Sequence, residues 1–161
     1  MPARPSRPPP AKPEAAHPLL VDWLETGPVT VDRLRRVLVL GDRAGADLLA
    51  SRAPAAQVDR DDVPVDDGEG YDLVAVVGWP PPGADMAALT AAVADGGALL
   101  LITPVRADAS GATGRAAGPV VGCGAAGLLL VAFDDLSESA GADTRSGQRR
   151  WLRATCRRVS R

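Results

Sequence analysis

The chain has 161 residues, enough for one domain with its own core; 46% are hydrophobic but only 3% aromatic, so that core is expected to be built from Ala, Val and Leu. The formal net charge of −2 conceals two basic ends, +3 over residues 1–13 and +7 over 145–161, around a middle of −12. Two distant cysteines, Cys123 and Cys156, and one histidine, His17, argue against a metal site, and the apolar runs fall far short of the ~20 residues of a membrane span.

With no charged-then-apolar leader at its start, the chain is expected to be soluble and cytoplasmic, with no membrane contact. Abundant Ala, Arg, Gly and Pro, with a single Lys and no Asn, point to a high-GC bacterium.

Residues 1–17 form a proline-rich tail, six prolines falling within the first thirteen positions, and cannot offset their ordering entropy by burial. The domain is expected to span 18–161. Leu19, Leu20, Trp23 and Leu24 give one stripe of a short helix that opens at Pro18 and stops at Gly27-Pro28. Arg36 to Gly41 is a nearly unbroken apolar run ending in Gly, the pattern of a strand buried on both faces. A helix over 44–53 follows, then a short strand at 55–59 or 62–65. Tyr71 to Gly78 repeats the buried-strand pattern, and Asp72 at its start is expected to answer a backbone donor or solvent.

A helix over 84–95 carries Met86, Leu89, Ala92 and Val93 on one face and stops at Gly96-Gly97. Ala98 to Thr103 is another buried strand. Residues 105–126 are rich in Gly and Ala, Leu128 to Phe133 is a strand, and 134–148 is a polar loop. Trp151 to Val159 is a last strand whose arginines place it near a sheet edge, antiparallel to its predecessor because no helix joins them. Alternating strands and helices argue for an α/β fold, a three-layer Rossmann-like sandwich with a mainly parallel sheet and an antiparallel C-terminal strand.

That order resembles the class I SAM-dependent methyltransferases. The run "DDVPVDDGEGYDLVAVVGWPPPGADMAALTAAVADGGALLLITP" is similar to the family's third through fifth strands, and "LLLVAFDDLS…RRWLRATCRR" to its final strand pair. The likeness covers roughly residues 18–158. It implies a crevice at the carboxyl ends of the strands, with Gly41, Asp42, Arg43 and Gly45 along S-adenosylmethionine and Gly78 at the next strand end. Asp59, Asp61 or Asp62 would stand on the ribose, and Trp79 and Pro80 beside a substrate.

The departures are specific. Val39 stands where the family's first strand carries an acid, and Arg43 where the glycine loop has its middle glycine. Between Gly41 and Tyr71 lie 29 residues, room for one helix and one short strand rather than the family's two strand–helix units. The implied reading is a shortened, degenerate methyltransferase-like domain, non-catalytic and serving as a binding or accessory protein, with no cofactor expected. An active small SAM-dependent methyltransferase is the alternative.

The remaining motifs carry less. Asp42 and Arg43 fit either a repurposed site or an exposed ion pair, and Trp79 fits either a stacked ligand or the next helix. Gly122-Cys123-Gly124-Ala125-Ala126-Gly127 matches the dinucleotide fingerprint in letters, but its strand follows instead of preceding it. Cys123 has no second histidine to act as base, and His17 borders the tail, so no catalytic residue is assigned. The C-terminal arginines, Arg149, Arg150 and Arg153 among them, could meet RNA or another polyanion, a solvated edge or an acidic protein. A protein partner or a homo-oligomer is expected, with an exposed flank of the first strand as one association surface.

Overall fold

A computed structural model describes residues 15–60, 68–78, 86–105, 124, 127–137 and 150–159. The first helix, α1 (Pro18–Thr26), begins where Pro18 pre-sets a helical φ and where His17 Nδ1 accepts the Leu19 N–H at 3.2 Å. It buries Leu20, Trp23 and Leu24, the stripe predicted from their spacing. A short 3₁₀ turn at Val31–Arg33 leads into β1 (Arg36–Leu40). Then come α2 (Arg43–Arg52), β2 (Gln57–Asp59), β3 (Tyr71–Val77), α3 (Met86–Ala91), β4 (Val93–Val105), β5 (Leu128–Ser137) and β6 (Arg150–Arg158).

The six strands form one sheet in the order β2-β1-β3-β4-β6-β5. β2, β1, β3 and β4 run parallel, and β6 pairs antiparallel with both β4 and β5. β1 and β3 are parallel neighbours, Val37 beside Leu73 and Leu40 beside Val76, as two apolar runs of this kind require. β2 flanks β1 on its other side, so the flank of the first strand expected to be exposed is covered along Arg36–Leu38 by the three residues of β2.

Alternation along these strands divides the core between two faces. Val37, Val39, Leu73, Ala75, Val77, Leu100 and Ile102 pack under α1 and α2, with Leu20, Trp23, Ala46 and Leu49. Leu38, Leu40, Val74, Val76, Leu99 and Leu101 pack with Leu89 of α3 and with Ala154 and Cys156 of β6. The three-layer α/β sandwich is therefore observed, with its layers filled by aliphatic side chains. Each buried Leu or Val contributes about 1.5–3 kcal/mol of transfer free energy.

Three expectations need correction. The helix over 84–95 ends at Ala91, and positions 84–85 lie outside the described residues. Tyr71 N–H takes the Ala92 carbonyl at 2.7 Å and Val93 pairs with Tyr71, so Val93 belongs to β4. Gly96-Gly97 is then a bulge within the strand, with Gly96 at φ +76°, and not a helix stop. The polar stretch after Phe133 continues as strand to Ser137 because Asp134 stands opposite Arg153 and pairs with it.

The last strand, expected near an edge, is interior. β6 lies between β4 and β5 and is buried from Leu152 to Cys156. Trp23 Nε1 donates to Thr155 Oγ1 at 2.9 Å, tying α1 to that strand. Arg153 is buried because its guanidinium finds enough acceptors within the chain: Asp22 Oδ2 at 2.6 Å, the Leu19 carbonyl at 3.1 Å and Asp134 Oδ2 at 3.0 Å. Burial alone would lower its pKa, but the hydrogen bonds and negative charge of Asp22 and Asp134 prevail and raise it.

Candidate functional site

The crossover from β1 through α2 leads to β2 on one side of the sheet, and the one from β3 through α3 leads to β4 on the other. Strand order therefore reverses between β1 and β3, and a ligand crevice in an open α/β sheet opens at the carboxyl ends of those two strands. Gly41 and Gly78 stand there, both with positive φ, +82° and +87°. Only a glycine adopts that conformation at little cost. A Cβ on Gly41 would overlap the Val77 carbonyl, so the end of β1 lies closely against the end of β3. A Cβ on Gly78 would meet nothing within 4 Å, while its N–H donates to the Ile102 carbonyl at 2.7 Å.

Asp42 is the N-cap of α2. Its Oδ1 accepts the Gly45 N–H at 2.8 Å, and its Oδ2 accepts the His17 N–H at 2.8 Å from the start of α1. Both oxygens of Asp42 are thus engaged by backbone N–H groups, which staple α1 to the loop after β1. Gly45 is buried beneath that staple, where a Cβ would overlap Leu20 and the Asp42 carboxylate. Arg43 opens α2 and is exposed. Val39 is buried among the apolar side chains under α1 and α2.

Asp59 ends β2 beside Leu38, two positions short of the end of β1. Its Oδ2 accepts the Tyr71 hydroxyl at 3.1 Å and lies 3.8 Å from Arg36 Nη2, while Oδ1 accepts Gln57 Nε2 at 3.1 Å. The Arg36 guanidinium lies over the Tyr71 ring, 4.5 Å from its centroid. Tyr71 is buried, and the side chains of Arg36 and Asp59 are only 13% and 18% exposed. Among the described residues, a carboxylate, a phenol and a guanidinium thus form a polar cluster at the flank of β1.

The structure brings Gly41, Asp42 and Gly45 together with Gly78 at the switch point and holds Asp59 apart from them in that cluster. Asp62, Trp79 and Pro80 lie outside the described residues, as do Asp61 and Cys123. Asp72 accepts the Arg35 and Arg36 N–H groups at 2.7 and 3.0 Å, the backbone role expected of it. Arg153, one of the arginines considered for a polyanion, is spent on internal acceptors. The residues that sequence reasoning missed are His17, Leu20, Tyr71 and Arg36. Only Tyr71, the chain's one tyrosine at the head of a buried strand, carries a signal: a buried phenol needs a partner. Among the described residues, no group of three or more His, Cys, Asp or Glu could hold a metal ion, and no helix is long and apolar enough to cross a membrane.

No protein-family model matches the chain, and no curated protein sequence matches it. Solved structures do. An O-methyltransferase family protein from Burkholderia thailandensis superposes with a TM-score of 0.55 at 16% identity, covering 89% of this chain and 56% of that one. The fold is that of the class I methyltransferases. A geranyl diphosphate C-methyltransferase from Streptomyces coelicolor, solved with Mg2+, geranyl diphosphate and S-adenosyl-L-homocysteine, gives 0.54 at 11% identity over 88% of this chain and 78% of its own. An N-methyltransferase from Haemonchus contortus gives 0.55 at 10% identity, over 88% and 52%. The chain thus spans about half the length of two of these three methyltransferases.

Proposed function

We propose that this methyltransferase-fold domain is a non-catalytic binding or accessory protein whose adenosyl site has been closed by its own side chains. The observation that carries the proposal is the engagement of Asp59. It stands where the fold would place a ribose-binding acid, yet both of its oxygens face Tyr71, Arg36 and Gln57. Freeing it would break its hydrogen bonds to Tyr71 and Gln57 and draw a carboxylate away from the part-buried Arg36 guanidinium, which is costly.

Two further features agree. Val39 offers no acceptor where the family has an acid, and Leu20 with the Asp42 staple packs onto Gly45, where a cofactor would need bare backbone. These residues do not fit an adenosyl group, and no methyl-transfer step is routed through them.

The competing reading, an active small methyltransferase, rests on Gly41 and Gly78 keeping their conformations at the switch point. Titration calorimetry of the full chain with S-adenosylmethionine and S-adenosylhomocysteine separates the two. Our reading expects no binding tighter than about 1 mM for either. A dissociation constant in the micromolar range for one of them supports the active enzyme.

A further inference from the structure

We propose that the free edge of β5 is the surface on which a second copy of this chain docks, antiparallel, across a two-fold axis. β5 ends the sheet order and pairs only with β6 among the described residues. An edge strand exposed to water on its outer side normally alternates apolar and polar residues, or carries Lys, Pro or an inward charge. β5 does neither. Leu128-Leu129-Leu130-Val131-Ala132-Phe133 is the composition of an interior strand placed at an edge. Leu129 is 60% exposed, Leu130 49%, Val131 47% and Phe133 47%. Among the described residues, a bulge between Leu130 and Ala132 guards this run, and the bulged residue is itself an exposed valine.

Charge selects the occupant and its direction. The run ends in Asp134-Asp135, while the β6 residues beside its start are Arg158, opposite Leu128, and Arg157, opposite Leu129. The edge is therefore acidic at one end and basic at the other. A parallel copy would set acid against acid. Because the bulge swaps the faces, an antiparallel copy centred between Val131 and Ala132 sets Phe133 of each chain opposite Leu130 of the other, and Asp134 opposite Leu129, which lies beside Arg157. Arg157 would then be two strand spacings, roughly 9.6 Å, from the facing strand, within the combined reach of extended Arg and Asp side chains.

Among the described residues, exposed Arg157 makes one long bond, 3.4 Å, to the Gly96 carbonyl. The Asp134 side chain meets Arg153 through Oδ2 and is still 43% exposed. The contact is isologous and closes on itself, so it yields a dimer and not a filament. It joins two six-stranded sheets and does not depend on whether an adenosyl group binds at the opposite end of the strand order.

Sedimentation equilibrium of the full chain, with Val131→Lys/Phe133→Lys and Arg157→Glu as variants, tests this. Both variants change exposed positions, and circular dichroism with thermal melting verifies that they fold. We expect twice the chain mass for the wild type at micromolar concentration and a monomer for the double-lysine variant. We also expect at least a tenfold weaker dimer for Arg157→Glu, with the wild-type dimer loosening as salt rises. A wild type that stays monomeric up to about 100 μM overturns the proposal. So does a dimer that survives the two lysines, one indifferent to both Arg157→Glu and salt, or an open-ended assembly.

Discussion

Removing the Tyr71 hydroxyl tests the polar cluster beside β1. Tyr71→Phe deletes a 3.1 Å hydrogen bond to a carboxylate and leaves the ring, the core contacts and the stacked Arg36 in place. A hydrogen bond to a charged group contributes about 1.5–3 kcal/mol, and the part-buried setting of Asp59 puts this one near the lower end, about 1.5 kcal/mol. Asp59→Ala removes the same bond and also takes a carboxylate from beside the part-buried Arg36, so it is expected to cost more, about 2–3 kcal/mol. If the phenol and the carboxylate are true partners, the double variant costs less than the two single losses together, by about 1 kcal/mol. Urea unfolding at constant pH reads these values from the midpoints, and for a chain of this size each kcal/mol moves the thermal midpoint by about 2–4 °C. Additive losses within about 0.3 kcal/mol would mean that Tyr71 does not hold Asp59, and the reasoning would fail.

Gly41→Ala is expected to be severe, about 3 kcal/mol or failure to fold, because a left-handed φ and an overlap with the Val77 carbonyl act together. Gly78→Ala meets open space and carries the φ strain alone, about 1 kcal/mol; equal midpoints for the two variants would contradict this. Arg153→Ala empties a buried site that binds α1, β5 and β6 and should destabilise by about 3 kcal/mol, whereas Arg153→Met, which keeps the volume, should lose less than half of that. Chemical unfolding of both variants checks the ranking, and a methionine variant as unstable as the alanine one would refute it.

Hydrophobic pattern reported the fold well and polar partnership poorly. β1 and β3 announce themselves because a strand buried on both faces leaves no room for polar residues, and their final glycines mark the turn into the next helix. Gly41 and Asp42 were likewise legible as the turn at the switch point, although Gly45, read as part of that loop, lies in the first turn of α2. Their use as a docking place for α1 was not, because the His17–Asp42 bond joins residues 25 apart through a backbone N–H that no side chain advertises. Arg153 misled for a related reason: arginine signals solvent until its acceptors are seen, and Asp22 lies 131 positions away. Val93 fits a helical stripe and a strand equally, and its pairing with Tyr71 decides the matter. Asp59 was one of three candidate acids beside two candidate strands; β2 puts it at a strand end, and its hydrogen bond to Tyr71, twelve positions on, decides what that carboxylate is free to do.

Whether that carboxylate is closed to a ribose is decided by calorimetry of S-adenosylhomocysteine against the wild type and Tyr71→Phe, side by side. No measurable heat of binding is expected for the wild type at submillimolar ligand. A wild-type dissociation constant in the micromolar range, lost on Asp59→Ala, would show that Asp59 serves the ribose after all and contradict it.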